Sequence, residues 1–340
     1  GHLSQWAMAE VQGVWLGGIG VDGQGDVYAA DLGGARFVRM KDVSAPASSW
    51  EALKTGGVLV QPLDAAITPG GKILLADRGF AGVGQVEDVT GKGLKALYGA
   101  DSLVGKIQQP HLVFAPSGGG LYVGHKIFDA AKATDLTGQS TLLTGLARGV
   151  LRGVAEYKGV VYMASSHVNG GDNNALVTDG PQGVKVYLGQ QLPALDKVGE
   201  LRGLAVDKLG QIYLGDGDKC AVTRLDDLQG KGEKVLWSQA GCALQDLAMG
   251  PSNNLYISTT ARVYKVQLDL CPADAAKTDP GLCGCGTADT DTDGDKTPDC
   301  KDLCPSDKNK TAAGICGCGT ADTDTDGDGL VDCKDTYPNQ

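Results

Sequence analysis

Between residues 289 and 302 the chain reads DTDTDGDKTPDCKD, and between 322 and 335 it reads DTDTDGDGLVDCKD. Carboxylates at every second position repel one another and bury nothing. They are suited to surrounding a hard cation, because alternate side chains turn to the same side and calcium takes six to eight oxygens in tolerant geometry. The later stretch fits a twelve-residue calcium loop. Asp324, Asp326 and Asp328 stand at positions 1, 3 and 5, Gly329 at the sharp turn, and Leu330 offers its carbonyl at position 7. Asp332 stands at 9, and Asp335 replaces the usual final glutamate. The earlier stretch supplies Asp291, Asp293, Asp295, the Thr297 carbonyl, Asp299 and Asp302, but Lys296 stands where the turn wants glycine.

Cysteines frame both loops. Cys271, Cys283, Cys285 and Cys300 are followed 33 residues later by Cys304, Cys316, Cys318 and Cys333. An even number of cysteines at repeated spacing reads as a disulfide framework and an oxidising compartment. Zinc fits less well, since CGC lacks the usual two-residue gap and no histidine is near. Eight cysteines allow 105 pairings. Joining sequential neighbours respects the repeat and gives Cys271–Cys283, Cys285–Cys300, Cys304–Cys316 and Cys318–Cys333. Upstream, Cys220 and Cys242 are expected to pair, closing a loop worth on the order of 3 kcal/mol. Over 271–340 the chain resembles bacterial thrombospondin type 3 repeats. That resemblance implies a second ion served by Asp289 and Asp322, hence two to four Ca²⁺, and a place on the surface of a Gram-negative cell.

Chemistry elsewhere is thinner. His111, His125 and His167 are three of only four histidines, and clustered imidazoles suit a transition metal or a general base. Arg152, Arg202 and Asp246 are further candidates for a ligand site. None of these is near the others in sequence, so their meaning depends on the elements that carry them.

Those elements repeat. Six phrases share a small-residue strand, a Gly/Asp/Asn turn and an apolar strand usually holding tyrosine, as in GIGVDGQGDVYAAD (18–31) and GLAVDKLGQIYLGD (203–216). Tyr28, Leu74, Tyr122, Tyr162, Tyr213 and Tyr256 mark them at intervals of 40 to 51 residues, the period of a β-propeller blade. The expected fold is all-β: a six-bladed β-propeller over 1–270, then an irregular, disulfide-bonded calcium-binding segment over 271–340. The last blade lacks an outer strand, and residues 10–16 are expected to supply it and close the ring. Within this scheme His111, His125, His167, Arg152, Arg202 and Asp246 fall on one rim of the ring. Asp31, Asp77 and Asp216 recur at one repeat position, which favours capping of turn amides. GLAVDKLGQIYLGD resembles the repeat of NHL proteins and of gluconolactonase- and strictosidine-synthase-like propellers. Such rings host lactonases, lyases and binding modules alike. The Glu, two Asn and Asp that hold a divalent ion in gluconolactonase-like enzymes have no evident counterpart here, and Asn169, Asn173 and Asn174 sit in an insertion.

The net charge is −11. Residues 271–340 hold 15 Asp and 6 Lys, a balance of −9, so the remainder is near neutral. No basic patch suits nucleic acid and no apolar run is long enough to cross a membrane. The short polar N-terminus reads as a mature end rather than a leader. The expected protein is extracellular or on the outer cell surface. Its ring would be a platform for a protein or glycan ligand or for self-assembly, and its tail a calcium-stiffened spacer. The alternative is a lactonase- or lyase-like hydrolase at the ring mouth.

Overall fold

The computed structural model describes residues 5–7, 15–41, 43–56, 61–79, 82–96, 110–119, 121–125, 130–133, 140–143, 149–168 and 173–340. They form two compact units, one ending at Gln267 and one spanning Leu268–Gln340.

The first unit is a β-propeller of six four-stranded sheets, each paired antiparallel throughout. Their innermost strands are Leu16–Val21, Pro62–Ile67, Pro110–Phe114, Val150–Tyr157, Leu201–Val206 and Leu244–Gly250. These six adjoin one another in a closed circle. The core lies between neighbouring sheets rather than inside any one of them. Leu16, Ile19 and Val27 of the first sheet pack with Tyr256 and Val263 of the last. Tyr28 and Phe37 pack with Ile73 and Leu75 of the second sheet. The repeat-marking residues serve this purpose: Leu74, Tyr122, Tyr213 and Tyr256 are at most 2% exposed on the second strands of their sheets. An aromatic there buries a large apolar body.

Ring closure differs from expectation in which residues achieve it. Gln5–Ala7 is the outermost strand of the last sheet, registered on Val266, Lys265 and Tyr264. Of the stretch 10–16, residues 10–14 lie outside the described residues, and Leu16 opens the innermost strand of the first sheet opposite Asp31. The reason is burial. Leu16 and Ile19 face the core together, so the chain has already reached the inner strand by residue 16. The edge strand must lie earlier.

The second unit carries no helix or strand among its described residues. It is held by disulfides, and their connectivity corrects the sequence reading. Cys220–Cys242 forms in the propeller as expected. In the tail the pairs are Cys271–Cys285, Cys283–Cys300, Cys304–Cys318 and Cys316–Cys333. The four sequential pairings, Cys271–Cys283, Cys285–Cys300, Cys304–Cys316 and Cys318–Cys333, do not occur. A bond from a backbone amide to a side-chain carboxylate accompanies this pairing. The Gly286 amide donates to Asp274 Oδ2 at 2.7 Å, which folds the chain so that Cys285 Sγ lies 3.5 Å from the Leu270 carbonyl oxygen. Cys285, not Cys283, is thereby set beside Cys271. Gly319, Asp307, Cys318 and Leu303 repeat the arrangement at 2.7 and 3.4 Å.

Candidate functional site

In each tail loop one aspartate wraps the turn. Asp291 accepts from the amides of Gly294 at 2.8 Å and Lys296 at 2.9 Å. Asp324 accepts from Gly327 at 2.7 Å and Gly329 at 2.9 Å. Lys296 keeps the left-handed backbone (φ 80°) that Gly329 adopts at φ 93°. The departure from glycine therefore leaves the turn intact, at the steric cost that a Cβ brings in that region. The result is two carboxylate triads, Asp291, Asp293, Asp295 and Asp324, Asp326, Asp328. Ligand atoms within each lie within 4.8 Å of one another.

The two triads are not equivalent. In the first, Asp302 is 6% exposed, with Oδ1 accepting the Cys304 amide at 2.7 Å and Oδ2 without a hydrogen-bond partner. Asp293 Oδ2 is likewise buried and unpartnered. Burial, with the charges of Asp295, Asp302 and Asp291 adding to it, holds the Asp293 carboxyl above its ordinary range. In the second, Asp326 Oδ2 accepts the Gln340 amide at 2.9 Å, and Asp335 Oδ1 accepts that of Tyr337 at 2.8 Å. An all-oxygen donor set with orphaned buried oxygens fits a divalent cation, since such oxygens are costly unless paired.

Four aspartates expected as ligands are otherwise engaged. Asp299 binds the Thr292 hydroxyl at 2.7 Å and amide at 2.9 Å. Asp332 binds the hydroxyls of Thr323 and Thr325, both at 2.7 Å, and the Thr325 amide. Those hydroxyls, with the amides, hold both carboxyls below the usual range. Asp289 and Asp322 accept the amides of Cys283 and Cys316 at 2.7 Å and pair with Lys277 and Lys310 at 3.1 Å. The sequence reading missed both lysines. Each is one of several in an acidic stretch, and nothing in its neighbours distinguishes it.

In the propeller, every innermost strand slips register near its start. The bulged residues include Leu63, His111, Arg152, Arg202 and Gln245, which explains why sequence reasoning placed most of these at one rim. A chamber of about 200 Å³ there is lined by Arg152, Arg202, Gln245, Asp64 and Asp246 among others. Glu200 joins the two arginines, to Arg152 Nη2 and Arg202 Nε, both at 2.7 Å. Arg202 Nη1 donates to Gln245 Oε1 at 2.9 Å. Burial and the adjacent Arg202 push the Arg152 guanidinium down, against the pull of Glu200. Burial opposes the charge of Glu200, but both arginines outweigh it and its carboxyl sits below its ordinary value.

Asp246, read as a possible ligand, has both oxygens occupied by the amides of Ile19 at 3.0 Å and Leu247 at 2.8 Å. Asp64 does the same for Val113 and Ala65, both at 2.8 Å. Each thus staples its own innermost strand to the next. Burial raises the Asp64 carboxyl to about 7, and burial plus Asp64 raises Asp246 well above the carboxylate range. Asp64 also explains Gly18, where a Cβ would run into its carboxylate and backbone.

The expected grouping of His111, His125 and His167 falls largely outside the described residues. His125 sits across from Pro110 on the strand next to that of His111, and the side chains of both lie outside the described residues. His167 is exposed, with positive φ (57°) and its Nδ1 3.1 Å from Ser166 Oγ. Asn174 is a structural plug: its amide nitrogen donates to the carbonyls of Leu195, Val198 and Gly199, and its oxygen accepts the Leu201 amide. Asp31, Asp77 and Asp216 cap amides as expected, those of Gly34, Gln61 and Gly199 each at 2.9 Å.

No family model matches the sequence, and no curated protein matches it. Solved structures match the fold. A gluconolactonase from Xanthomonas campestris superposes with a TM-score of 0.59 at 12% identity, over 76% of this chain and 87% of that one. A luciferin-regenerating enzyme gives 0.60 at 12%, over 84% and 98%. A chain of a nidogen/laminin complex gives 0.52 at 16%, over 75% and 86%. At such identities the likeness establishes the propeller and nothing about chemistry.

Proposed function

We propose that this is a secreted or cell-surface calcium-binding protein, whose propeller is a recognition or assembly platform and whose tail is a spacer stiffened by Ca²⁺. The unpartnered, buried oxygens of Asp293 and Asp302 beside the Asp291, Asp293, Asp295 triad carry the calcium reading. Asp291, Asp293, Asp295 and Asp302, with the Thr297 carbonyl, would hold one ion. Asp324, Asp326, Asp328 and Asp335, with the Leu330 carbonyl, would hold another. Bound calcium would neutralise carboxylates that otherwise repel and so couple metal binding to order. Five disulfides with no free cysteine support an oxidising, extracellular setting. The test is calcium titration of the purified protein by calorimetry, with limited proteolysis in calcium and in EDTA. Micromolar to millimolar binding and tail cleavage only in EDTA are expected. No heat of binding and identical digests reject the reading.

Two observations support a binding platform over an enzyme. The charged groups described at the mouth are committed to one another or to backbone amides, and a propeller neighbour comes from a protein–protein complex. A protein or glycan ligand, or a second copy of this chain, would fit such a surface. The alternative, a lactonase- or lyase-like hydrolase, is favoured by the enzyme neighbours. Assay against a panel of aldonolactones separates the two, with no turnover expected above the uncatalysed rate.

A further inference from the structure

Beside the carboxylate triad, each tail repeat encloses a lysine ammonium among oxygens. The Lys277 ammonium donates to the carbonyl oxygens of Pro280, Gly284 and Thr287 at 2.9, 2.9 and 2.7 Å, with Asp289 Oδ2 at 3.1 Å. The Lys310 ammonium repeats this with Ala313, Gly317 and Thr320 at 2.9, 2.8 and 2.7 Å, and Asp322 Oδ2 at 3.1 Å. The two side chains are 15% and 12% exposed. Lysines on a solvated acidic surface have no reason to converge on three backbone carbonyls, since water serves them equally well. Four oxygens around one partly buried positive charge are the surroundings that a bound metal ion would otherwise have.

We infer that Lys277 and Lys310 are resident cations that take the place of a second calcium, so that each repeat binds one ion and not two. This rests on the calcium reading of the triads. Ammonium-to-oxygen distances near 2.8 Å leave no room for a calcium at 2.3–2.6 Å from the same oxygens. Asp289 and Asp322, the carboxylates a second ion would need, are consumed by the lysine and by the Cys283 and Cys316 amides. Gly281 and Gly314, at φ 59° and 60°, let those carboxylates approach; a Cβ at either would collide with Asp289 Oδ2 or Asp322 Oδ2.

Each repeat is thereby split. Residues 271–289 are organised by lysine and by a disulfide, independently of metal. Residues 291–302 are organised by the ion. The second repeat divides the same way, at 304–322 and 324–335.

Native mass spectrometry of the full chain titrated with CaCl₂, and amide exchange in calcium and in EDTA, test this. At saturation no more than two calcium ions are expected; three or four overturn the inference. No calcium at all rejects the underlying calcium reading, and exchange then judges the lysine cages separately. In EDTA the amides of Cys283, Gly286, Cys316 and Gly319 should exchange at least tenfold more slowly than those of Gly294, Lys296, Gly327 and Gly329. Equal rates overturn the split. Lys277→Met should speed exchange at Cys283 and Gly286 at least tenfold while leaving Cys316 and Gly319 unchanged, the intact repeat serving as internal control. No change at Cys283 and Gly286 in that variant also overturns it.

Discussion

Buried or crowded aspartates occur in both units of this protein, and the two units use them in opposite ways. In the propeller, Asp64 and Asp246 are buried one per strand, and each oxygen accepts a backbone amide. In the tail, Asp293 and Asp302 lie among other carboxylates and keep an oxygen with no donor. The same side chain ties backbone together where donors meet both of its oxygens, and keeps an oxygen open to a cation where they do not. Aspartate density alone does not separate the roles, because Asp289, Asp299, Asp322 and Asp332 sit in the densest stretch and behave as staples.

The comparison breaks first with pH. Burial raises Asp64 to about 7 from an unfolded value near 4. The folded propeller therefore favours the protonated form. Stability from this group is full below about pH 4 and lost as pH rises through 7, by on the order of 4 kcal/mol at most. Thermal melts of the propeller should fall in Tm between pH 5 and 8, and Asp64→Asn should flatten that slope even if it lowers Tm throughout. A melt that rises with pH would show the channel carboxylates to be charged staples instead.

Removing the orphaned tail oxygens comes next. Asp293→Asn with Asp302→Asn should weaken calcium binding at the first loop on the order of 100-fold, while the second loop keeps its affinity. Calorimetry of the double variant reads both sites. Glu200→Gln should cost about 2 kcal/mol in urea unfolding of the propeller, since it leaves Arg152 and Arg202 half-buried without their shared carboxylate. Lys296→Gly is the smallest change: relief of its positive φ should tighten calcium about fivefold, near 1 kcal/mol.

The architecture was legible wherever burial repeats. The tyrosine and leucine positions that mark the phrases are the ones buried between sheets, so sequence period and packing carry the same information. Gln5–Ala7 escaped because a three-residue edge strand has too few positions to show alternation, whereas EVQGVWL looks more like a strand. The triads were legible because the alternation of their aspartates is local. The tail disulfides were not, since their pairing goes with contacts between residues distant in sequence, Gly286 with Asp274 and Gly319 with Asp307. The lysine cages were hidden for a related reason. Three of their four acceptors are backbone carbonyls, which leave no trace in side-chain identity.

The crossed disulfides have a mechanical consequence. Pulled from Cys271 toward Cys300, tension passes across the first bridge to Cys285, back two residues to Cys283, and across the second bridge to Cys300. With Cα separations of 5.4 and 5.8 Å at the bridges, that path is about 18 Å when taut, against about 100 Å for the same stretch unlinked. Only residues 301–303 lie between this crossed pair and the next one. Under load the two bridges, rather than the carboxylate loop, set the limit to which residues 271–300 can be drawn out.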